Sequence, residues 1–304
     1  MDRMEDVCAR ACLLTRAAWE PDMPPLLTRR DVHALLGEGM LHGLVLQHDD
    51  RLPDKKRSRI RCLLSRARAV YELCRAYEEK GYSVILPDDD DWPKRLNNLG
   101  NKAPLFLFAL GNRALLGNRM AAVAGSRDIL PETNAAAMEL GRRLAQERVT
   151  LVSGGARGVD QAVQEGVLCE GGCAVVVPAT PDYVIMDLPY VKEALEEGRL
   201  LILCDALPDS PFSAEKALSR NHTIYALGEA AVVTAARDGV GGSWKGASDC
   251  LKGGWTPVFV PEGEGADQAG CRALEALGAV CFSMEKTASL SSILFACRQT
   301  SLFD

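Results

Sequence analysis

The sequence predicts an α/β protein built on a parallel sheet with helices on both faces, preceded by a small helical N-terminal domain. Three observations carry this. From Arg119 onward, short Val/Leu/Ala runs alternate with segments of helical spacing, as expected of strands buried on both faces and joined by crossover helices. Two glycine-rich turns, Val123-Ala124-Gly125-Ser126-Arg127 and Val152-Ser153-Gly154-Gly155-Ala156-Arg157-Gly158-Val159-Asp160, each follow an apolar run of strand character. Residues up to Gly81, by contrast, read as helical.

In that first region Met4–Arg16 and Arg29–Leu36 place apolar residues at helical spacing, with Thr28 as N-cap of the second. Ser58–Lys80 reads as one longer amphipathic helix with Ile60, Leu63, Leu64, Ala67, Tyr71 and Cys74 on a single face. The basic run Lys55-Lys56-Arg57, continued by Arg59, Arg61, Arg66 and Arg68, reads as a solvated face, since Glu72, Glu78 and Glu79 follow; a nucleic-acid patch is the alternative. Residues 1–81 are therefore assigned to the helical domain and 82–304 to the α/β domain, with 82–118 as its leading extension. In that extension Tyr82–Pro87 and Pro104–Phe108 are strand candidates, and Asp88–Asp91 reads as a solvated loop. Further strands are expected at Met120–Ala124, Val149–Val152, Ala174–Val177, Leu200–Cys204, Ala231–Thr234, Pro257–Val260 and Ala279–Phe282. Helices between them are expected at Glu132–Gln146, Val159–Glu170, Val191–Glu197 and Asp267–Leu277.

Composition narrows the function classes. No apolar stretch reaches the ~20 residues of a membrane span and no early segment resembles a signal peptide, so a cytoplasmic protein is expected, without a membrane partner. The net charge of −6 argues against a generally sticky nucleic-acid binder, so any such contact has to come from a local basic surface. The eleven cysteines form no C-x-x-C pair, and of the four histidines only His222 lies outside the N-terminal region. They read as reduced, small apolar residues; no metal and no cofactor are expected.

The chemistry is expected at four constellations. Gly125, Ser126 and Arg127 form the first turn; Ser153, Gly154, Gly155, Arg157 and Gly158 form the second. Glycines there let a ligand approach the backbone, the following helix presents unpaired N–H groups, and arginine adds a planar cation suited to phosphate. Asp160 is expected to serve the helix N-terminus or to orient Arg157. The third constellation is Arg220, Asn221 and His222; the fourth is Gly242, Ser243 and Lys245, with Ser243 a natural N-cap and Lys245 in a first helical turn, where a cation opposes the helix dipole unless an anion is bound. In parallel sheets, ligands bind beyond the carboxyl ends of the strands, where both glycine turns sit. The dinucleotide G-x-G-x-x-G spacing, the phosphate loop G-x-x-x-x-G-K-[ST] and the hydrolase elbow G-x-S-x-G are all absent.

Taken in order, these motifs resemble the DNA-processing protein A family, also called Smf. The matching path runs through Trp92-Pro93, Gly111-Asn112, Gly125-Ser126-Arg127, Ser153–Asp160, Gly171-Gly172, Arg220-Asn221, Gly241-Gly242-Ser243, Val258–Pro261 and Leu277-Gly278-Ala279, covering roughly residues 82 to 283. The resemblance implies an extended Rossmann-like fold that binds single-stranded DNA, loads a RecA-type recombinase in natural transformation and recombination, acts as a homodimer and is not an enzyme. By position it implies that Ser126, Arg127, Ser153, Gly154, Arg157, Arg220, Asn221, Ser243 and Lys245 line the strand pocket. The chain departs from the family pattern at Gly155, where leucine is usual, at His222, where the second arginine of Arg-Asn-Arg is usual, at Cys204-Asp205 in place of Ser-Glu, and through Pro178–Pro189. An unperturbed histidine is mostly uncharged near neutral pH, so weaker phosphate binding is expected there. No winged-helix domain of the kind some members carry is expected after residue 304.

Two other functions fit the same residues. One is a nucleotide-binding sensor that reports a small nucleotide to a partner. The other is a nucleotide phosphoribohydrolase resembling the cytokinin-activating "lonely guy" family, whose P-G-G-x-G-T loop Gly239–Lys245 does not match.

Overall fold

The structure, a computed structural model, describes residues 3–17, 23–37, 52–179, 187–263 and 269–296. Four helices come first: α1 (Arg3–Leu14), α2 (Arg29–Gly37), α3 (Asp54–Leu64) and α4 (Ala67–Glu79). The cap expected at Thr28 is reciprocal: its hydroxyl accepts from the Asp31 N–H at 3.2 Å while its own N–H donates to the Asp31 carboxylate at 3.2 Å.

The single helix expected over Ser58–Lys80 is instead two. The chain breaks at Ser65 and Arg66, where the Ser65 hydroxyl bonds back to Cys62 O and Arg66 leaves helical geometry at φ −90°, ψ 4°. The break turns the Arg66 guanidinium inward, where it is buried and donates to the carbonyls of Cys12 in the last turn of α1, of Thr15 just past it, and of Leu63. A cation on the exposed carbonyls of a helix end satisfies groups that would otherwise be buried unpaired. Its basic neighbours are also engaged internally: Arg57 pairs with Asp54, Lys56 with Asp31, and Arg59 donates to Pro25 O and Leu26 O. Arg66 thus departs from the solvated face expected of this run, whereas Lys55, Arg61 and Arg68 are exposed as that reading has it.

The sheet opens with β1 (Ser83–Ile85) and β2 (Leu107–Gly111), which run antiparallel to each other, β2 also antiparallel to β6 (Leu200–Cys204). These two strands make one edge of the otherwise parallel sheet antiparallel. The strand expected at Pro104–Phe108 starts three residues later, because Leu105 O accepts from the buried Arg10 guanidinium (2.7 Å) rather than from a neighbouring strand. In the acidic turn, Asp89 binds Arg3 and the Leu86 N–H, and Asp91 pairs with Arg113, so these two carboxylates are fastened rather than simply solvated.

The α/β alternation follows as β3 (Met120–Gly125), α5 (Pro131–Gln146), β4 (Thr150–Ser153), α6 (Val159–Cys169), β5 (Ala174–Val176), α7 (Pro189–Glu196), β6, α8 (Ala214–Leu227), β7 (Ala230–Ala235), α9 (Gly241–Gly253), β8 (Val258–Pro261), α10 (Ala269–Ala276), β9 (Val280–Phe282) and α11 (Leu290–Leu294). The helix expected from Asp267 begins outside the described residues and is seen from Ala269; most of Pro178–Pro189, His42, His48 and Cys297 also lie outside them. Strand order is β1-β2-β6-β5-β4-β3-β7-β8-β9. The chain winds from β3 outward to β6, then returns to lay β7 against the other side of β3, so the order reverses between β3 and β7.

Alternate side chains of each strand enter two separate buried layers. Ala121, Val123, Leu151, Val176, Ile202 and Val232 join α5, α6 and α1–α4 on one face. Met120, Ala122, Val152, Val175, Leu201 and Val233 join α8, α9 and α10 on the other. This two-sided burial is why the strands read as continuous apolar runs. The described cysteines are unbridged, and Cys8, Cys12, Cys74, Cys204, Cys250 and Cys271 are buried among apolar side chains. No described helix is long and apolar enough to cross a membrane.

Asp205, just past β6, ties the N-terminal helices to this frame. Its carboxylate is buried and accepts from Arg29 of α2 at 2.7 Å and from the Thr223 hydroxyl of α8 at 3.0 Å. Burial pushes its pKa up, but Arg29 and Thr223 outweigh that and hold it below the ordinary carboxylate value of 3.8. A depressed carboxylate stabilises the fold above its unfolded value and loses that contribution as pH falls through its folded value. Asp205→Asn should therefore lower the urea-unfolding free energy by about 3 kcal/mol at neutral pH, by stranding Arg29. The penalty should shrink as the wild type is taken below pH 3.8 in the same titration.

Candidate functional site

The two glycine turns are in direct contact. Val159 N–H, the first of α6, donates to Ser126 O at 3.2 Å, so the second turn closes onto the first. A Cβ added at Gly158 would collide with Ser126 O and Arg127 O, and one added at Gly125 would collide with the Val159 side chain. Gly158 also has φ +91° and ψ −129°, a conformation open essentially to glycine alone. The Ser126 N–H and hydroxyl both reach Ala235 O of β7, at 2.9 and 3.3 Å, which extends the lock across the switch point.

Beneath the second turn lies Asp160, whose carboxylate accepts from Gly154 N–H (3.1 Å) and Ala156 N–H (3.4 Å). It shapes the loop ahead of α6 rather than orienting Arg157, which turns outward to Asp128. Burial raises the Asp160 pKa, opposed by Arg220, the two N–H donors and Arg127. Arg220 itself is only 4% exposed and its guanidinium packs under Gly154, where any side chain would displace it. Its Nε has no hydrogen-bond partner among the described residues. The carboxylates of Asp160 and Asp205 offset part of the cost of burying this charge, while the Nε keeps a donor to spare.

Above Arg220 opens a cleft of about 710 Å³ at the carboxyl ends of β3 and β7. Of the residues singled out in the sequence, Gly125, Ser126, Arg127, Arg220, Asn221, Gly242, Ser243 and Lys245 line it. Arg157 and Gly158 border a neighbouring hollow of about 730 Å³ that shares Arg127, Asp128 and Arg237 with the cleft. Ser153 and Gly154 are buried behind the second turn, and Gly155 takes φ +63° at its bend. His222 lies away from the cleft: it meets Asp249 at 3.1 Å and packs edge-on against Trp255 at 4.9 Å. Burial pushes its pKa down, partly offset by Asp249, which leaves it more fully neutral at pH 7 than a free histidine.

The helix of the fourth constellation starts three residues earlier than expected, with its cap at Val240 rather than Ser243. α9 begins at Gly241, so Ser243 sits inside its first turn instead of capping it, and its hydroxyl donates to Gly125 O at 2.5 Å. Asn221 Nδ2 donates to Gly242 O at 3.1 Å and Tyr225 OH to Ser243 O at 3.1 Å, which fixes α9 against α8. The α9 N-terminus thus opens into the cleft, and the exposed Lys245, expected in the first turn, is the fifth residue of the helix and lies just past that turn.

Sequence reasoning missed Arg237, Asp128, Phe212 and Val240, all in the cleft wall. For Arg237 a signal existed: β3 and β7 end alike, in Gly125-Ser126-Arg127-Asp128 and Ala235-Ala236-Arg237-Asp238, with Gly125 and Ala235 paired across the sheet. Adjacent parallel strands thereby deliver two arginines to one rim.

The lock between the turns has a measurable cost. Gly158→Ala should destabilise the protein by about 2–3 kcal/mol in urea unfolding, because it combines a disfavoured φ with a backbone collision. Gly239→Ala, with φ +67° but open space around the added methyl, should cost about 1 kcal/mol.

Comparison with known proteins agrees with this architecture. A family profile described as DNA recombination-mediator protein A matches residues 83–292. A Mycobacterium tuberculosis protein named as a DNA processing protein, DprA, is 31% identical over 176 residues, 52% of this chain and 44% of that protein. The chain thus spans less than half the length of the curated relative it matches. The structure of DNA processing protein A from Streptococcus pneumoniae superposes with a TM-score of 0.70 at 22% identity, covering 93% of this chain and 95% of that one. DNA processing protein A from Helicobacter pylori, described for its single-stranded DNA binding mode, gives 0.58 at 24% identity, covering 72% and 96%. These likenesses match the Rossmann-like fold, and the profile spans most of the sequence: the chain belongs to the DNA recombination-mediator protein A family.

Proposed function

We propose that the chain binds single-stranded DNA in the cleft at the ends of β3 and β7 and acts as a recombination mediator. The observation that carries this is a ring of exposed cations, Arg127, Arg237 and Lys245, around the buried Arg220 at the point where strand order reverses. The α9 N-terminus adds unpaired N–H groups on the same surface. Gly125, Ser126, Asn221, Gly242 and Ser243 shape the cleft, Ser153, Gly154 and Gly155 support it from behind, and Arg157 and Gly158 extend the track into the adjoining hollow. His222 holds α8 in place from the far side. In this reading a second copy pairs with the chain, and the strand passes to a RecA-type recombinase during DNA uptake and transformation.

In this reading the role is binding rather than catalysis. The hydroxyls of Ser126 and Ser243 are spent on backbone carbonyls, and His222 is turned away from both. Among the described cleft residues no nucleophile is paired with a base. A cleft of this volume also admits a single nucleotide, which keeps the nucleotide-sensor reading as the alternative.

Fluorescence anisotropy with labelled single strands of increasing length separates the two. Salt-sensitive binding that strengthens with length supports the DNA reading; no binding at micromolar folded protein overturns it. The Arg127→Ala/Arg237→Ala variant should reduce the slope of log K against log salt by about 0.7 for each lost phosphate contact. Asp128 pairs with Arg157 and lies 4.0 Å from Arg237, so it competes with phosphate for both. Asp128→Asn should tighten binding about two- to fivefold at low salt, the scale of an exposed ion pair.

A further inference from the structure

We propose that Phe212 is a stacking platform for a nucleobase, so that the cleft sorts a bound strand into phosphates on one side and bases on the other. The inference rests on the single-stranded-DNA reading above.

The cleft wall divides by element. The loops after β3 and β7 and the start of α9 contribute three cations, Arg127, Arg237 and Lys245, against the one carboxylate of Asp128. The start of α8 and the residue just ahead of its cap contribute Phe212, Ala214, Ala217 and Leu218, and the charge exposed there is that of Glu215. A phosphodiester is attracted to the first wall and repelled from the second by Glu215. The flat uncharged face of a base meets the opposite preferences. A single strand offers both groups at once, so the two walls fit its two sides.

Phe212 is set apart from the other described phenylalanines. Phe106, Phe108, Phe259 and Phe282 are buried and Phe295 is half-buried, whereas Phe212 is 52% exposed and has no aromatic partner among the described residues. It is nevertheless held in place. Ser213 caps α8 by accepting from Lys216 N–H at 3.1 Å, and Lys216 Nζ donates to Ser210 O at 3.0 Å, which pins the backbone on both sides of the ring. Val240, 60% exposed, borders the same cleft from the β7–α9 loop and gives a base a second apolar surface. An aromatic side chain kept out of the core, without a ring to pack on and beside a cationic rim, is organised for stacking rather than for stability.

The test measures affinity and salt slope together for wild type, Phe212→Ala, Phe212→Leu and Phe212→Tyr, on an oligothymidylate and on an abasic strand of the same length. Phe212→Ala and Phe212→Leu should weaken oligothymidylate binding about 5- to 100-fold, the range for losing one base–aromatic stack, with the salt slope unchanged. Phe212→Tyr should retain wild-type affinity. On the abasic strand all four proteins should bind alike, since the phosphates remain and the stacking partner is gone. Unchanged affinity in Phe212→Ala, wild-type affinity in Phe212→Leu, a reduced salt slope, or an equal loss on the abasic strand would each overturn the stacking role while leaving the DNA reading intact. Failure of the wild type to bind either strand removes both. Coincident urea midpoints for wild type and Phe212→Leu establish that the ring is not needed for folding.

Discussion

The cleft depends on a contact between two pieces of backbone. Ser126 O meets the first N–H of α6, and that approach is possible only because Gly125 and Gly158 carry no side chains. Strand β3 ends at one turn and helix α6 begins at the other, so the lock sets how far apart the ends of β3 and β4 stand. From there the geometry propagates by short bonds: Ser126 to β7, Ser243 to Gly125, Asn221 to Gly242. Arg127, Arg237, Arg220 and Lys245 converge because each of their elements is tied to this one lock, with no direct bond needed among cations that repel one another.

A protein of net charge −6 presents a cationic cleft by spending its other cations elsewhere. Arg66 closes the end of α1, Arg10 holds the Leu105 carbonyl, Arg29 meets Asp205, and Arg57 and Arg59 are absorbed within the N-terminal helices. Counting basic residues along the chain therefore points to a different segment from the cleft. The residues that matter electrostatically are few and come from three distant stretches of sequence.

Much of the α/β frame was legible because two-sided burial leaves a strong local trace, as in Leu200–Cys204, whose limits match the strand. The glycine turns were legible for a similar reason: three glycines in five residues make little sense without a close approach. The errors share a different origin. Ser58–Lys80 keeps helical spacing through Ser65-Arg66, and nothing nearby in sequence shows that Arg66 is needed inward by carbonyls some fifty residues earlier. His222 looked like a neighbour of Arg220 in function, yet helical geometry turns residues two apart to different sides, and Asp249 and Trp255 claim it. Phe212 carries no local signal, since one phenylalanine ahead of a helix reads equally well as core.

The Asp205 carboxylate makes α2 and α8 parts of one mechanical unit, although they lie far apart in the chain and α8 carries Arg220 and Asn221. Thermodynamic linkage runs both ways across such a joint. Whatever stiffens α8 from the cleft side also slows the opening of α2, and whatever grips the N-terminal helices changes the readiness of Arg220. Were a ligand to fill the cleft, amide exchange in α2 would be a remote gauge of its occupancy, readable without any label on it.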